Sequence, residues 1–477
     1  MKNCRTLPQV IEDLSNDFKA LSDRVWAVPE TCYTERKSKA EHVAELKRQG
    51  FRVTEGVAGI PTAMVGEAGD SGPVIAFLGE FDALPGLSQE AGENVHTPLE
   101  RNGAGHGCGH NLLGSAAMMA ATAVKTWLDE NGIEGRVRYY GCPAEEGGGA
   151  KAFMVRDGLF DDVSAAFTWH PENICEVLSP NSLANLRCDF HFTGKSSHAA
   201  IAPHLGRSAL DAAELMSVGA NYLREHVPTE SRLHYAYIDT GGIAPNVVQS
   251  TATVRYSIRA PEVRSMNALY ERLSDVARGA AQMTGTQVEI KPISGVSNLM
   301  GNTVLEDILW EELLDQGPVP FDDEDRAFAK KMQSAVRPED IEFVYNRFGL
   351  EVDYDRPLAD FIVPRENARM KMPGSTDVAD VSWVVPLVQM HGATCAIGTP
   401  FHSWQLVAQG KSEMAKKGMI HAATVMARGA LRLFKDPALI EAAQAELKAR
   451  TAKTPYVSPL PEGTQPPIRE MAGEEFV

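Results

Sequence analysis

The strongest constraint on the fold is an alternation of two patterns. Three short apolar runs read as buried strands: PVIAFLGEFDAL (Pro73–Leu84), GRVRYYGCPAEEG (Gly135–Gly147) and VSAAFTWHP (Val163–Pro171). Among them lies NLLGSAAMMAATAVKTWLDENG (Asn111–Gly132), helical in its spacing and closed by a glycine. Strands alternating with helices predict an α/β fold, a mostly parallel sheet with helices on both faces. From about Ser182 the pattern changes. Helices near Arg207–His226 and Ser265–Thr284 are spaced among four strand-like runs in the order strand, helix, strand, strand, helix, strand. That order suits a small α+β unit with one open antiparallel sheet. Residues suited to catalysis resume after Gly301, so the middle unit is expected to be an insertion. The expected division is 1–184 and 300–477 for the two parts of a catalytic domain, with 185–299 inserted. The acidic, proline-containing segment Asp315–Met372 is expected to make a helical excursion over the site. The end of the chain is expected to be an extended, proline-rich tail.

A length of 477 residues suits two or three domains. The net charge of −17 argues against nucleic acid or an anionic membrane as the main partner. It does not exclude an acidic small substrate, because a local arginine outweighs a distant surface field. The seven cysteines are scattered and odd in number, which argues against a disulfide scaffold and for a reduced, cytoplasmic setting. The first residues read as an amphipathic helix with no apolar core of a signal peptide, and no uncharged apolar run is long enough to span a membrane.

In an open α/β sheet, ligands bind beyond the carboxyl ends of the strands. The polar residues at those ends are therefore the candidates. GEFDALP supplies Glu80 and Asp82, and PAEEGGGA supplies Glu145 and Glu146. TWHP supplies His170, and GAGHGCGHN at a helix start supplies His106, Cys108 and His110. AIGTPFHSWQ, read as a further strand running into a turn, supplies His402. Thiolate, imidazole and carboxylate together suit divalent transition metals. The set exceeds what one catalytic ion needs and suits two ions sharing a bridging ligand. Adjacent glutamates at a strand end point differently, so one can bind metal while the other acts as a base.

Each of these residues also has an ordinary reading. A single histidine is usually a core or surface residue, which is how His42, His96, His226, His234, His391 and His421 are taken. A lone cysteine is usually a small apolar filler. The joint placement at successive strand ends separates the selected residues from these.

The ordered set GHGCGHNLLG, PAEEGGGAK, TWHP, GKSSHAA, GGIAPNVVQ and GTPFHSWQ resembles the dinuclear metal-dependent amidohydrolase and carboxypeptidase family. That family includes aminoacylases, glutamate carboxypeptidases and auxin-conjugate hydrolases. The resemblance covers nearly the whole chain. It implies two divalent ions, Mn²⁺ or Zn²⁺, held by Cys108, His110, Glu146, His170 and His402, with Glu145 as general base. It also implies that Asp82 orients a ligand histidine. The inserted domain would be a lid and dimerisation domain, in which His198 reaches the partner subunit's site. Asn246 and Arg259, thirteen residues apart, would hold the substrate carboxylate from neighbouring strands. Two positions depart from the family pattern: Glu80, where many relatives carry a ligand histidine, and Asn111, where members of the aminoacylase-like branch carry aspartate.

The implied reaction is hydrolysis of the amide bond in N-acyl amino acids. An N-aroyl glutamate such as p-aminobenzoyl-glutamate is the first candidate substrate. The alternatives are another conjugate such as indole-3-acetyl-aspartate, or a subunit active only with a related partner chain.

Overall fold

The structure is a computed structural model, and it describes residues 4–177, 182–367 and 374–476. The strands are β1 (Arg52–Glu55), β2 (Met64–Ala68), β3 (Val74–Glu80), β4 (Arg136–Cys142), β5 (Ala165–Glu172), β6 (Glu176–Val177), β7 (Ala184–Thr193), β8 (Arg232–Asp239), β9 (Thr251–Ala260), β10 (Gln287–Val296) and β11 (Leu387–Ala393). Seven form one sheet in the order β1-β2-β4-β3-β5-β11-β6. Its centre, β4-β3-β5-β11, is parallel, and its margins are antiparallel. This is the expected mostly parallel α/β architecture.

Every residue of β3 is buried, because the strand is covered on both faces. Ile75 and Phe77 pack into one core with the helices Leu7–Trp26, His110–Asn131 and Glu413–Lys435. Val74, Ala76 and Leu78 pack into a second core with Met154, Val378 and Val381. Period-two alternation thus persists in direction but not in polarity. Strand β3 leads by the His110–Asn131 helix to β4 on one side, and β4 crosses back to β5 on the other. The chain therefore reverses direction across the sheet between the carboxyl ends of β3 and β5, which is where such sheets place their ligands.

The second sheet is antiparallel, in the order β10-β7-β9-β8. The helices Ala209–Leu223 and Val263–Thr284 cover one face and share an aliphatic core with alternate residues of β7 and β9. The other alternate residues, from Asn185 to His191 and from Thr253 to Arg259, face away from that core. The element order is the one expected from the sequence.

One of these expectations needs correction. AIGTPFHSWQ is not a strand: β11 ends at Ala393, and the chain then turns through Gly398 and His402, both at positive φ. The acidic segment is helical, as expected, with helices Asp323–Gln333 and Pro338–Arg347. It has its own apolar cluster and packs with Ile341 against the loop before His402, buttressing that loop. Its last part, 368–372, lies outside the described residues. The tail is docked on the catalytic unit: Leu460 and Ile468 are buried with Tyr33, Ala144 and Phe153. Among the described residues no helix is long and apolar enough to cross a membrane.

Candidate metal centre

Local backbone geometry aims the ligands. Gly109, at φ +78°, caps the His110–Asn131 helix, and a Cβ there would come within 2.9 Å of Pro171. Only a glycine lets Cys108 and His110 close onto the end of β5, where His170 sits. Ala144 and His402, both non-glycine residues at φ +55°, occupy the left-handed region at a cost of about 1 kcal/mol each. Ala144 is held there by its N–H, which donates to Glu35 Oε1 at 2.9 Å, and by Gly148 and Gly149, whose N–H groups donate to its carbonyl. The turn presents Glu145 and Glu146 just beyond β4. His402 is fixed by its N–H, which donates to Gly107 O at 2.8 Å.

The donor atoms of Cys108, His110 and His170 lie within 4.8 Å of one another, and so do those of Cys108, Glu146 and His402. Cys108 belongs to both groups. Its Sγ is 3.4 Å from His170 Nε2, and His402 Nε2 is 3.3 Å from Glu146 Oε2. The remaining ring nitrogens of the two inner histidines are tied back. His170 Nδ1 donates to Pro171 O at 2.7 Å, and His110 Nδ1 is 2.9 Å from Asp82 Oδ1. These bonds fix the tautomer that leaves Nε2 facing the centre. Asp82 Oδ2 accepts the Glu146 N–H at 2.9 Å, so one carboxylate braces a ligand at a helix start and another just beyond β4.

The residues fit two divalent ions. Glu146 Oε1 and His110 Nε2, the latter 3.4 Å from Glu80 Oε2, are buried without a hydrogen-bond partner, and both residues belong to the ligand groups. Buried polar atoms are rarely left so unless something else satisfies them. The charge distribution agrees. Burial, and then the Glu146 charge, push the Cys108 thiol well above its usual range. Burial, then Glu80 and Glu146, do the same to the Glu145 carboxyl. Burial opposes the charged form of His110, yet Cys108 and Asp82 hold its pKa well above the usual imidazole range. The cluster gathers more negative charge than its own protein groups neutralise.

A third close group comprises Glu80, His110 and Glu145. Here the cation is already part of the chain. Lys151 Nζ lies 2.6 Å from Glu80 Oε1 and 2.6 Å from Asp377 Oδ1, and all three side chains are buried. Glu80 is thus part of an ion pair beside the centre. Lys151 and Asp377 are not among the residues the sequence singles out, although they lie in PAEEGGGAK and in GSTDVADVSWVVP. A buried lysine is a weak sequence signal without its partners.

His106 stands apart from the donors, its Nε2 3.2 Å from Val25 O. His391, read as ordinary, is buried 2.9 Å from Glu176 and has its ring 6.2 Å from that of His170.

Glu145, Glu146, Asp377 and His402 form one wall of a cleft, and Asn185, Arg187, Arg259 and Ser294 form the facing wall. Arg259 Nη1 donates to Ser375 Oγ at 2.8 Å. Asn246 does not join Arg259, contrary to the sequence expectation. Arg259 is near the end of β9, whereas Asn246 lies in the loop before β9 begins. An extended strand of that length separates them by roughly 25 Å. Asn246 instead sits with His198: the Ala199 N–H donates to Asn246 O at 2.9 Å, and His198 pairs with Val247. Both side chains are exposed, and neither lines the cleft of this chain.

Comparison with known proteins agrees with this picture. Residues 76–465 match the family described as Peptidase family M20/M25/M40. The chain is 43% identical over 474 residues to one of the subunits of p-aminobenzoyl-glutamate hydrolase from Escherichia coli K12, covering 97% of this chain and 98% of that one. It is 28% identical over 462 residues to the mouse Xaa-Arg dipeptidase, covering 94% and 92%. In fold it is similar to a dinuclear metal-binding peptidase of the M20 family from Bacillus subtilis, with TM-score 0.55, 16% identity, and 89% and 99% coverage.

Proposed function

The chain belongs to peptidase family M20/M25/M40, and from that premise we propose a metal-dependent hydrolase that cleaves the amide bond of N-acyl amino acids, p-aminobenzoyl-glutamate first among them. The observation that carries the proposal is Cys108, shared between two ligand groups with Glu145 beside them. In this reading Cys108, His110, Glu146, His170 and His402 hold two divalent ions, Mn²⁺ or Zn²⁺. Such ions, when bound, acidify a water and polarise the amide carbonyl.

Glu145 takes the proton of the attacking water and returns it to the leaving amine. Its burial between Glu80 and Glu146 favours the carboxyl form that must deliver that proton. Asp82 keeps His110 in the ligand tautomer. Arg259 binds the α-carboxylate of the substrate across the cleft, which places the carbonyl against the ligand wall.

His198 and Asn246 are exposed and do not line this cleft, which supports a second role: completing the site of a second subunit in a homodimer. The inserted unit is taken as 185–299, supported by its separate sheet and core. No two of the described cysteines are joined and six of the seven are buried, which supports a reducing, cytoplasmic setting. The name of the Escherichia coli relative marks it as one subunit of a larger enzyme, and this favours one further reading, dependence on a related partner chain.

The test is turnover of an N-acyl amino acid panel by purified, metal-stripped protein before and after Mn²⁺ or Zn²⁺ is added. Activity should be absent when stripped, return with metal, and be highest on p-aminobenzoyl-glutamate, with indole-3-acetyl-aspartate behind. Full activity in rigorously stripped protein would overturn the reading. Activity that returns only with a related second chain would establish the partner-dependent form.

A further inference from the structure

The wall of the cleft formed by the antiparallel sheet carries a pattern that the metal centre does not explain. On the face turned away from the helices, β7 presents Asn185, Arg187 and Asp189, and β9 presents Arg259, Ser257 and Arg255 opposite them in that order. At one end of this face Arg255 and Asp189 satisfy each other through two parallel hydrogen bonds of 2.6 and 2.9 Å. Nearer the metal centre the same strands present Arg187 and Arg259, and among the described residues neither is within 4.0 Å of a carboxylate. Arg187 donates to the Glu146 carbonyl at 3.1 Å, and Arg259 to Ser375 Oγ, both uncharged acceptors. Both residues are half-buried. They are diagonal cross-strand neighbours, whose Cβ atoms lie roughly 7–8 Å apart. Burial, and then the Arg187 charge, lower the Arg259 pKa, so the pair is held together against its own repulsion. A chain with a net charge of −17 has no shortage of carboxylates to place there. Unpaired, desolvated charges are costly, and their retention beside a cleft points to a counter-charge that arrives with the ligand.

We propose that Arg187 and Arg259 form a two-site clamp for a dicarboxylate, in which Arg259 takes the α-carboxylate and Arg187 selects an amino acid with an acidic side chain. The identity of the bond cleaved rests on the hydrolase reading above, whereas the two negative charges of the ligand do not. Arg187 is bonded to the backbone of a residue in the ligand set, so the second carboxylate sits next to the chemistry. A neutral side chain in that position leaves the guanidinium unpaired, and the penalty falls on the wrong substrate.

The test uses the metal-loaded protein, with kcat/KM for an N-acyl glutamate and the matching N-acyl glutamine, together with calorimetric binding of glutarate and butyrate. Wild type should favour the glutamate conjugate by about tenfold to a hundredfold, the range of a charge-assisted pair. Arg187→Gln should lose most of that preference, through a much larger loss on the glutamate conjugate than on the glutamine conjugate, and an unchanged circular dichroism spectrum and thermal melt show that it folds. Arg187→Lys should fall between, because it keeps the charge and loses the fork. Arg259→Gln should lose on both conjugates. Glutarate should bind wild type more tightly than butyrate, and Arg187→Gln should erase the difference. Equal loss on both conjugates in Arg187→Gln, or an unchanged preference, would overturn the clamp while leaving the hydrolase intact. If wild type cleaves neither conjugate yet binds glutarate through Arg187, the hydrolase reading falls and the clamp stands.

Discussion

The metal centre and the His198–Asn246 corner are both built from polar residues, yet they are built in opposite ways. At the centre Cys108 and His110 are buried and His170 is partly buried, and His110 and His170 each have a second bond that fixes their direction. At the corner His198 and Asn246 are exposed, and apolar side chains around them face solvent, Ile201 at 79% and Ile243 at 100% of their full accessible area. The centre is enclosed by the chain, whereas at the corner the His198 ring accepts the Ala200 and Ile201 N–H groups at 3.3 and 3.2 Å and still stands in solvent. The proposed roles account for the contrast: a metal centre needs its geometry at all times and is enclosed by the fold, whereas a corner proposed to act across subunits stays at the surface with an apolar margin until the partner covers it.

The largest expected effect breaks the centre itself. Glu145→Gln should lower kcat by about 10³-fold, towards the upper range for loss of a general base, while metal content stays at the wild-type level. Glu146→Gln should empty part of the site instead. Metal analysis and kcat on the same samples decide the assignment, and the opposite pattern would reverse the two roles.

Next comes the corner. His198→Ala should cost on the order of 10²-fold in kcat if His198 stabilises developing oxyanion charge. Mixed with Glu145→Gln under conditions of subunit exchange, it should regain activity, because one hybrid site holds both intact groups. Verified hybrids with no recovery would show that the corner does not act across subunits.

The smallest effect lies at the joint between the two regions. Asp380 accepts hydrogen bonds from the Ser297 N–H and hydroxyl, just past β10, and from the Tyr456 hydroxyl. Burial is the main cause that raises its pKa from 3.8 to about 7. A carboxyl raised on folding contributes most below its unfolded pKa, and that contribution is lost as pH rises through the folded value. The joint should therefore weaken between about pH 4 and pH 7. Asp380→Asn removes that ionisation, so its Tm relative to wild type should be higher at pH 8 than at pH 5 by a few degrees. A difference that does not change with pH would place the ionisation elsewhere.

The sequence makes the centre legible because its ligands follow strand ends whose apolar runs are themselves readable. Asp82, Cys108, His110, Glu145, Glu146, His170 and His402 come together in the structure as those runs imply. For His402 the strand-end argument is incomplete: its turn follows a loop, not a strand, and only the left-handed backbone aims it. Lys151 with Asp377, and Arg187 near Arg259, are not legible, because pairing between distant segments, or its absence, leaves no local pattern. Asn246 is misplaced by sequence spacing alone, which treats thirteen residues as a turn between neighbours when most of them form one extended strand.

In the proposed site Cys108 is shared by two ions. The most direct test of this sharing is the metal content per chain of reconstituted wild type and Cys108→Ala, measured by elemental mass spectrometry on folded, monodisperse protein. Wild type should bind two equivalents and Cys108→Ala fewer than one, since both ligand groups lose a member. One equivalent in wild type, unchanged when the thiol is removed, would contradict the account.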